Sequence, residues 1–141
     1  MKYNLFALLI LVLCVGCSGN VPLQGNVFDE DGNPITVGMV NFVSDQGLSR
    51  ATIQPDGSYV VGTLSERDGL PPGTYRVYIT GAEIAVAATG PVRMDVMGRP
   101  MQQLPGFRQL VATQYTTEAT TPLTVEIPAP RNRFDVIVGS P

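Results

Sequence analysis

The residues able to carry chemistry are few. Cys14 and Cys17 are the two thiols of the 141-residue chain, no histidine accompanies them, and Lys2 is its one lysine. A catalytic thiol or hydroxyl needs a neighbouring base to take its proton. Ser44, Ser49, Ser58 and Ser65 have neither histidine nor a lysine within the body of the chain to serve. Glu66, Asp68, Glu83 and Asp95 are expected in loops. A general-acid pair among them requires two carboxyl groups held at a set separation, and nothing in their spacing imposes it, so structural roles are expected. Asp29-Glu30-Asp31-Gly32 supplies hard oxygen ligands suited to Ca²⁺. A calcium loop continues with ligands at alternating positions and a later glutamate, which Thr36 to Val40 do not provide; a turn is expected instead. The chain therefore reads as a non-enzyme with no cofactor and no metal site.

Composition narrows the partners. Twelve Asp and Glu against nine Lys and Arg give a net charge of -3 and an isoelectric point near 4.7. Nucleic-acid binders carry clustered positive charge and a high isoelectric point, so that class is excluded. With 44% hydrophobic and 15% charged residues the chain is too apolar for disorder. Its length suits one domain, and 15 Gly with 12 Pro favour turns over long helices.

The cysteines sit in a distinctive context. Met1-Lys2-Tyr3-Asn4 is a short basic start followed by an apolar run from Leu5 to Val15, the pattern of a secretory signal. The run is shorter than the ~20 residues that cross a bilayer as a helix. Leu13-Cys14-Val15-Gly16-Cys17-Ser18 resembles a bacterial lipobox, in which a small residue precedes a cysteine that is acylated and becomes the new N-terminus. The resemblance makes residues 1–16 the signal peptide, Cys17 the lipidation site and residues 17–20 a lipidated start with a short tether. Cys14 stands where lipoboxes usually carry leucine, and the alternative is an ordinary secretory signal with two incidental cysteines. Processing at Cys17 removes Lys2, leaves eight Arg against twelve acids, a charge of -4, and excludes Schiff-base chemistry.

From Pro22 onward the sequence alternates as short strands do. Leu23, Gly25 and Val27 form one face of a first run, and Gly38, Val40 and Phe42 one face of a second. A weaker run covers Leu48 to Ile53, Asp56-Gly57 suits a tight hairpin, and Ser58 to Val61 reads as its return strand. Tyr75, Val77 and Ile79 oppose Arg76, Tyr78 and Thr80 in the clearest run; Leu123, Val125 and Ile127, then Phe134, Val136 and Val138, complete the set. About seven short strands argue for an antiparallel β-sandwich. Gly25 and Gly38 are expected at close backbone approaches or bulges, and Tyr59 and Tyr75 as core anchors whose hydroxyls reach a partner. The exposed Tyr78 beside Arg76 is compatible with a glycan or peptide surface or with ordinary cross-strand packing.

Residues 81–114 break the pattern. Pro91, Pro100 and Pro105 interrupt them, a stretch from Ala82 to Ala88 is open between strand and helical turn, and connections this long are uncommon in compact domains. The segment is apolar, with Met94, Met97, Met101, Leu104 and Phe107 among its residues. Methionine adapts to irregular partners, so the segment is either a contact surface or a cover for one end of the sandwich.

Leu23-Gln24-Gly25-Asn26-Val27, Asp31-Gly32-Asn33-Pro34-Ile35, Val40-Asn41-Phe42-Val43, Asp56-Gly57-Ser58-Tyr59 and Pro72-Gly73-Thr74-Tyr75-Arg76-Val77 together resemble the carboxypeptidase regulatory-like domain. Tyr115, Thr121-Pro122-Leu123-Thr124-Val125 and Asn132-Arg133-Phe134-Asp135 are similar to the ends of such domains in small bacterial envelope lipoproteins. The resemblance implies an all-β, seven-stranded antiparallel Greek-key β-sandwich of transthyretin-like (prealbumin-like) type over residues 21–138, with a long loop insertion at 81–114. The hydrolases that share that fold use histidine and a tyrosine-containing C-terminal tail; this chain has no histidine and ends Val138-Gly139-Ser140-Pro141, so their activity does not carry over. The expectation is a non-catalytic, lipid-anchored envelope protein with a structural or protein-interaction role, at the outer membrane or cell surface rather than the cytoplasmic membrane. Its partners are then the membrane, through the N-terminal lipid, and an envelope protein or glycan. A glycan- or small-ligand-binding module and a carboxylate-based hydrolase are the alternatives.

Overall fold

The structure is a computed structural model that describes residues 19–62 and 68–141. The signal segment, Cys17, Ser65 and Glu66 lie outside the described residues. Among the described residues nine strands occur in order: β1 (Gln24–Asp29), β2 (Met39–Ser44), β3 (Gly47–Thr52), β4 (Ser58–Val60), β5 (Gly73–Thr80), β6 (Glu83–Val86), β7 (Gly106–Gln109), β8 (Thr124–Ile127) and β9 (Val136–Val138). One sheet has the order β4-β1-β9, a second β3-β2-β5-β8, and β6 and β7 pair separately.

The alternating side chains decide which face each strand buries, because successive residues point to opposite sides of a sheet. Val27, Tyr59, Val136 and Val138 from the first sheet meet Val40, Phe42, Val77 and Ile79 from the second, all essentially inaccessible to water. Phe42 and Tyr59 make the inter-sheet contact explicit, with ring centroids 5.9 Å apart. In β5 the outward set behaves as the alternation requires, with Arg76 and Thr80 exposed and Tyr78 half-buried.

Two expectations are corrected. The sandwich is not wholly antiparallel: β9 runs parallel to β1, pairing Val27 with Val136 and Asp29 with Val138. The last strand enters the sheet from the same end as β1, a register that alternation in either strand cannot specify. Asp56-Gly57 also does not close a hairpin within one sheet. Gly57 does adopt a positive φ of 83° and its N–H donates to the carbonyl of Gln54, but β4 leaves to pair antiparallel with β1, Gly25 opposite Tyr59. The β3 and β4 sides are joined by an isolated Arg50–Gly62 bridge and by the Gln54 N–H, which donates to the Ser58 carbonyl at 2.8 Å. The turn is a corner at which the chain changes sheets.

The two expected glycine approaches are present. A methyl group on Gly25 would lie 1.9 Å from the Phe134 carbonyl oxygen, and one on Gly38 would lie 2.9 Å from that of Thr80. At Gly25 the space belongs to the C-terminal segment. The Tyr59 hydroxyl donates to that same Phe134 carbonyl, and the Phe134 N–H donates to the Gln24 carbonyl at 3.0 Å. The Tyr75 hydroxyl likewise donates to the Pro71 carbonyl at 2.8 Å. Buried hydroxyls thus find acceptors, as the cost of leaving them unpaired demands.

The pairings define two ends. Val21 exchanges backbone hydrogen bonds with Leu70, just before β5, so the N-terminal approach reaches the end where β5 begins. Met39 opposes Thr80 at the other end, from which β6 departs. Eight residues of β5 separate the two ends by roughly 26 Å.

Candidate functional site

The segment from 81 to 114 is where sequence and structure differ most usefully. It is not a plain loop: β6 and β7 form an antiparallel hairpin stem with Glu83 opposite Gln109 and Val86 opposite Gly106. The Leu110 N–H donates to the Ala82 carbonyl at 2.8 Å, and the Gln109 amide donates to the Glu83 carboxylate at 2.8 Å. Ala82 and Val111, at the foot, are buried and fasten the stem to the core.

Beyond the stem the segment closes a second time. Met94 bridges Pro100, the Met101 N–H donates to the Arg93 carbonyl at 2.7 Å, and the Gln103 amide donates to the Pro91 carbonyl at 2.7 Å. The tip is a turn from Asp95 to Gly98, in which the Gly98 N–H donates to the Asp95 carbonyl. The Asp95 carboxylate accepts from the Met97 and Arg99 N–H groups, each at 2.8 Å. Proline and the missing alternation hid the hairpin from a strand reading; the signal that could have found it was Asp95 followed by Gly98, a turn former and a glycine three apart.

Its apolar side chains face water. Val96 is fully exposed, Leu104 82% and Met97 73% exposed, and Val92, Met94, Met101 and Phe107 are each more than half exposed. Of the two expectations for this segment, contact surface or cover for the sandwich, these exposures favour the first. Three arginines, Arg93, Arg99 and Arg108, stand among them against one aspartate over residues 90–108, and Arg99 lies 3.9 Å from that Asp95 carboxylate.

The other sequence candidates take structural positions. The Asp29 carboxylate accepts from the Asn33 side chain at 2.9 Å and from the Asn33 and Asp31 N–H groups. These bonds, the Asn33 side chain first, hold its carboxyl below the ordinary carboxylate value. Asp56 is lowered in the same way by the Ser58 hydroxyl, 2.6 Å away, and the Ser58 N–H. Both acids are turn-formers, as expected for the Asp29 loop, and no cluster of three metal-ligating side chains occurs among the described residues. Glu83 is not in a loop as expected but opens strand β6, where it accepts from Gln109, and Asp95 is engaged in the tip turn. Arg76 donates to the Glu118 carbonyl at 3.1 Å, and the Tyr78 backbone carbonyl accepts from buried Asn41.

Two further features were not read from the sequence. Arg133 donates to the Asp135 carboxylate at 3.0 Å and to the Asn26 side chain at 2.7 Å, while the Asn26 N–H donates to Asp135 at 2.8 Å. This cluster fastens the C-terminal segment to β1. A shallow apolar groove of about 430 Å³ lies at the foot of the hairpin between Thr36–Met39, Thr52, Pro55 and Gly81; it contains no ionisable side chain with which to act on a substrate.

No helix among the described residues is long and apolar enough to cross a membrane. No family model matches the chain, and no curated protein matches it. Among solved structures it is similar to a crystal structure of a variant of BcpA, the major pilin subunit of Bacillus cereus, at 11% identity and a TM-score of 0.47. That likeness covers 86% of this chain and 30% of the pilin chain, so the chain spans less than a third of the length of the protein it resembles.

Proposed function

We propose that this chain is a lipid-anchored, non-catalytic protein of the cell envelope that presents a projecting hairpin as its contact element. Cys17 carries the lipid, residues 18–20 form the tether, and the body is a transthyretin-like Greek-key sandwich of the carboxypeptidase regulatory-like type. The observation that carries the reading is the row of water-exposed apolar side chains on the β6–β7 hairpin. Contiguous exposed apolar surface on a stable scaffold marks an interaction site, whereas scattered single residues do not. The sandwich supports the hairpin at Ala82 and Val111, so loss of the hairpin leaves the core closed.

Detergent-phase partition of wild type and Cys17→Ala, made in a bacterial host that processes lipoproteins, tests the anchor. Wild type enters the detergent phase and the variant the aqueous phase; equal partition refutes lipidation at Cys17. Crosslinking in intact envelopes tests the contact element. A variant lacking residues 84–108 stays anchored and loses the crosslinks of the wild type, and an unchanged crosslink pattern refutes the hairpin as the contact surface.

A further inference from the structure

We propose that the hairpin tip inserts into the surface of a bilayer rich in anionic lipid, with Val96 and Met97 entering the acyl boundary and Arg93 and Arg99 meeting the phosphate groups. The inference rests on reading the hairpin as the contact element and names what it contacts.

The tip has the wrong residues for a solvent-facing turn and the right ones for a membrane surface. Its two central positions, normally polar or glycine, are Val96 and Met97, and they are among the most exposed apolar side chains described. A bilayer core offers no water to satisfy backbone polar groups. Here the N–H groups of Asp95, Met97, Gly98, Arg99 and Met101 are all satisfied within the tip, and Pro100 has none. The tip can therefore enter an apolar layer without stripping water from those donors.

Charge points the same way. Residues 90–108 hold three arginines and one aspartate, while the rest of the chain after Cys17 holds five arginines and eleven acids. Anionic headgroups attract the hairpin and repel the body. Long arginine stems can lie along apolar surface with the guanidinium at headgroup level, and Arg93 and Arg99 flank Val96 and Met97 at that distance in sequence. Asp95 does not go in as a bare charge: its carboxylate is occupied by two N–H groups and lies near Arg99. The hairpin leaves the sandwich at the end opposite Val21, so its contact is a second point of attachment and not part of the N-terminal one.

The chain contains no tryptophan, so a single introduced one reports on its own site. Met97→Trp and, as a control on the sandwich, Ile137→Trp are prepared as the full processed protein. Each is mixed with vesicles of phosphatidylglycerol and phosphatidylcholine carrying brominated acyl chains. The inference expects blue-shifted, bromine-quenched emission from Met97→Trp and unquenched emission from Ile137→Trp. It also expects weakening by about fivefold for each of Arg93→Gln and Arg99→Gln, the effect of one basic side chain at an anionic surface, and loss of quenching when Val96→Asp is added to Met97→Trp. Unquenched Met97→Trp emission overturns the inference. So does a blue shift without lipid that grows with protein concentration, which identifies a second copy, or one produced by envelope proteins alone. Because the partition of Cys17→Ala is read separately, a tip that ignores lipid leaves the anchor intact, and a tip that binds lipid without Cys17 acylation leaves the inference standing.

Discussion

At the scale of single residues, the sandwich depends on a few points where atoms nearly touch. Gly25 is one: with 1.9 Å between its missing methyl and the Phe134 oxygen, Gly25→Ala must push the C-terminal segment off β1. Overpacking of this kind costs about 1–3 kcal/mol and sometimes more, and a urea-unfolding midpoint close to wild type would contradict the close approach. Phe42→Ala removes a fully buried ring that touches Tyr59 across the sheets, for an expected loss of about 3–5 kcal/mol. Asp29 and Asp56 connect stability to pH. Both carboxyls sit below their ordinary value of 3.8 in the folded state, so the folded protein binds these protons less readily than the unfolded chain. Their contribution is complete above pH 3.8 and is lost as pH falls through the lower folded values. Unfolding midpoints measured across the acid range should therefore fall less steeply for the Asp29→Asn, Asp56→Asn double variant than for wild type; identical slopes would show that these bonds do not couple to folding.

At the scale of elements, the hairpin and the sandwich should behave as separable units. A two-stranded hairpin is marginal alone in water, and this one is joined to the core chiefly through Ala82, Leu110 and Val111. Cleavage by trypsin requires local opening, and with no lysine after Cys17 only arginine sites remain. Limited digestion should cut after Arg93 or Arg108 before Arg76, which lies within β5; the Arg99–Pro100 bond resists trypsin. Replacing residues 84–108 by a short Asn-Gly turn between Glu83 and Gln109 should leave cooperative unfolding within about 0.5 kcal/mol of wild type, the usual range for changes outside the core. Collapse of that variant, with protection of Arg93 and Arg108, would place the hairpin's methionines and leucine in the core after all.

At the scale of the whole molecule, the two ends have different neighbours. Val21 meets Leu70 at the end where β5 begins, and Gln46 lies beside Gly73 there, whereas Asp29, Asp56 and the hairpin share the far end. If Cys17 is the anchor, three tether residues span at most about 11 Å. In an anchoring membrane without anionic lipid, energy transfer to a dye should then be stronger from a label at Gln46 than from one at Asp56. Equal or reversed transfer would mean that the sandwich lies on its side or points the other way.

The alternation of Leu23, Gly25 and Val27, of Tyr75, Val77 and Ile79, and of Phe134, Val136 and Val138 was enough to place the strands and their buried faces, because a period of two is a local property of the extended chain. The turn at Asp29, the close approach at Gly25 and the tyrosine anchors were legible for the same reason: each residue type has few other uses. The reading of Cys17 rests on its flanking residues alone. Pairing partners were not legible, since alternation says which side of a strand is apolar and nothing about which strand lies beside it. The parallel entry of β9 and the change of sheet after Asp56 are settled by long-range packing. The hairpin was hidden for a related reason. Its stem buries almost nothing, so no periodic apolar face was selected, and only the folded chain shows that its valines, methionines and leucine point into solvent.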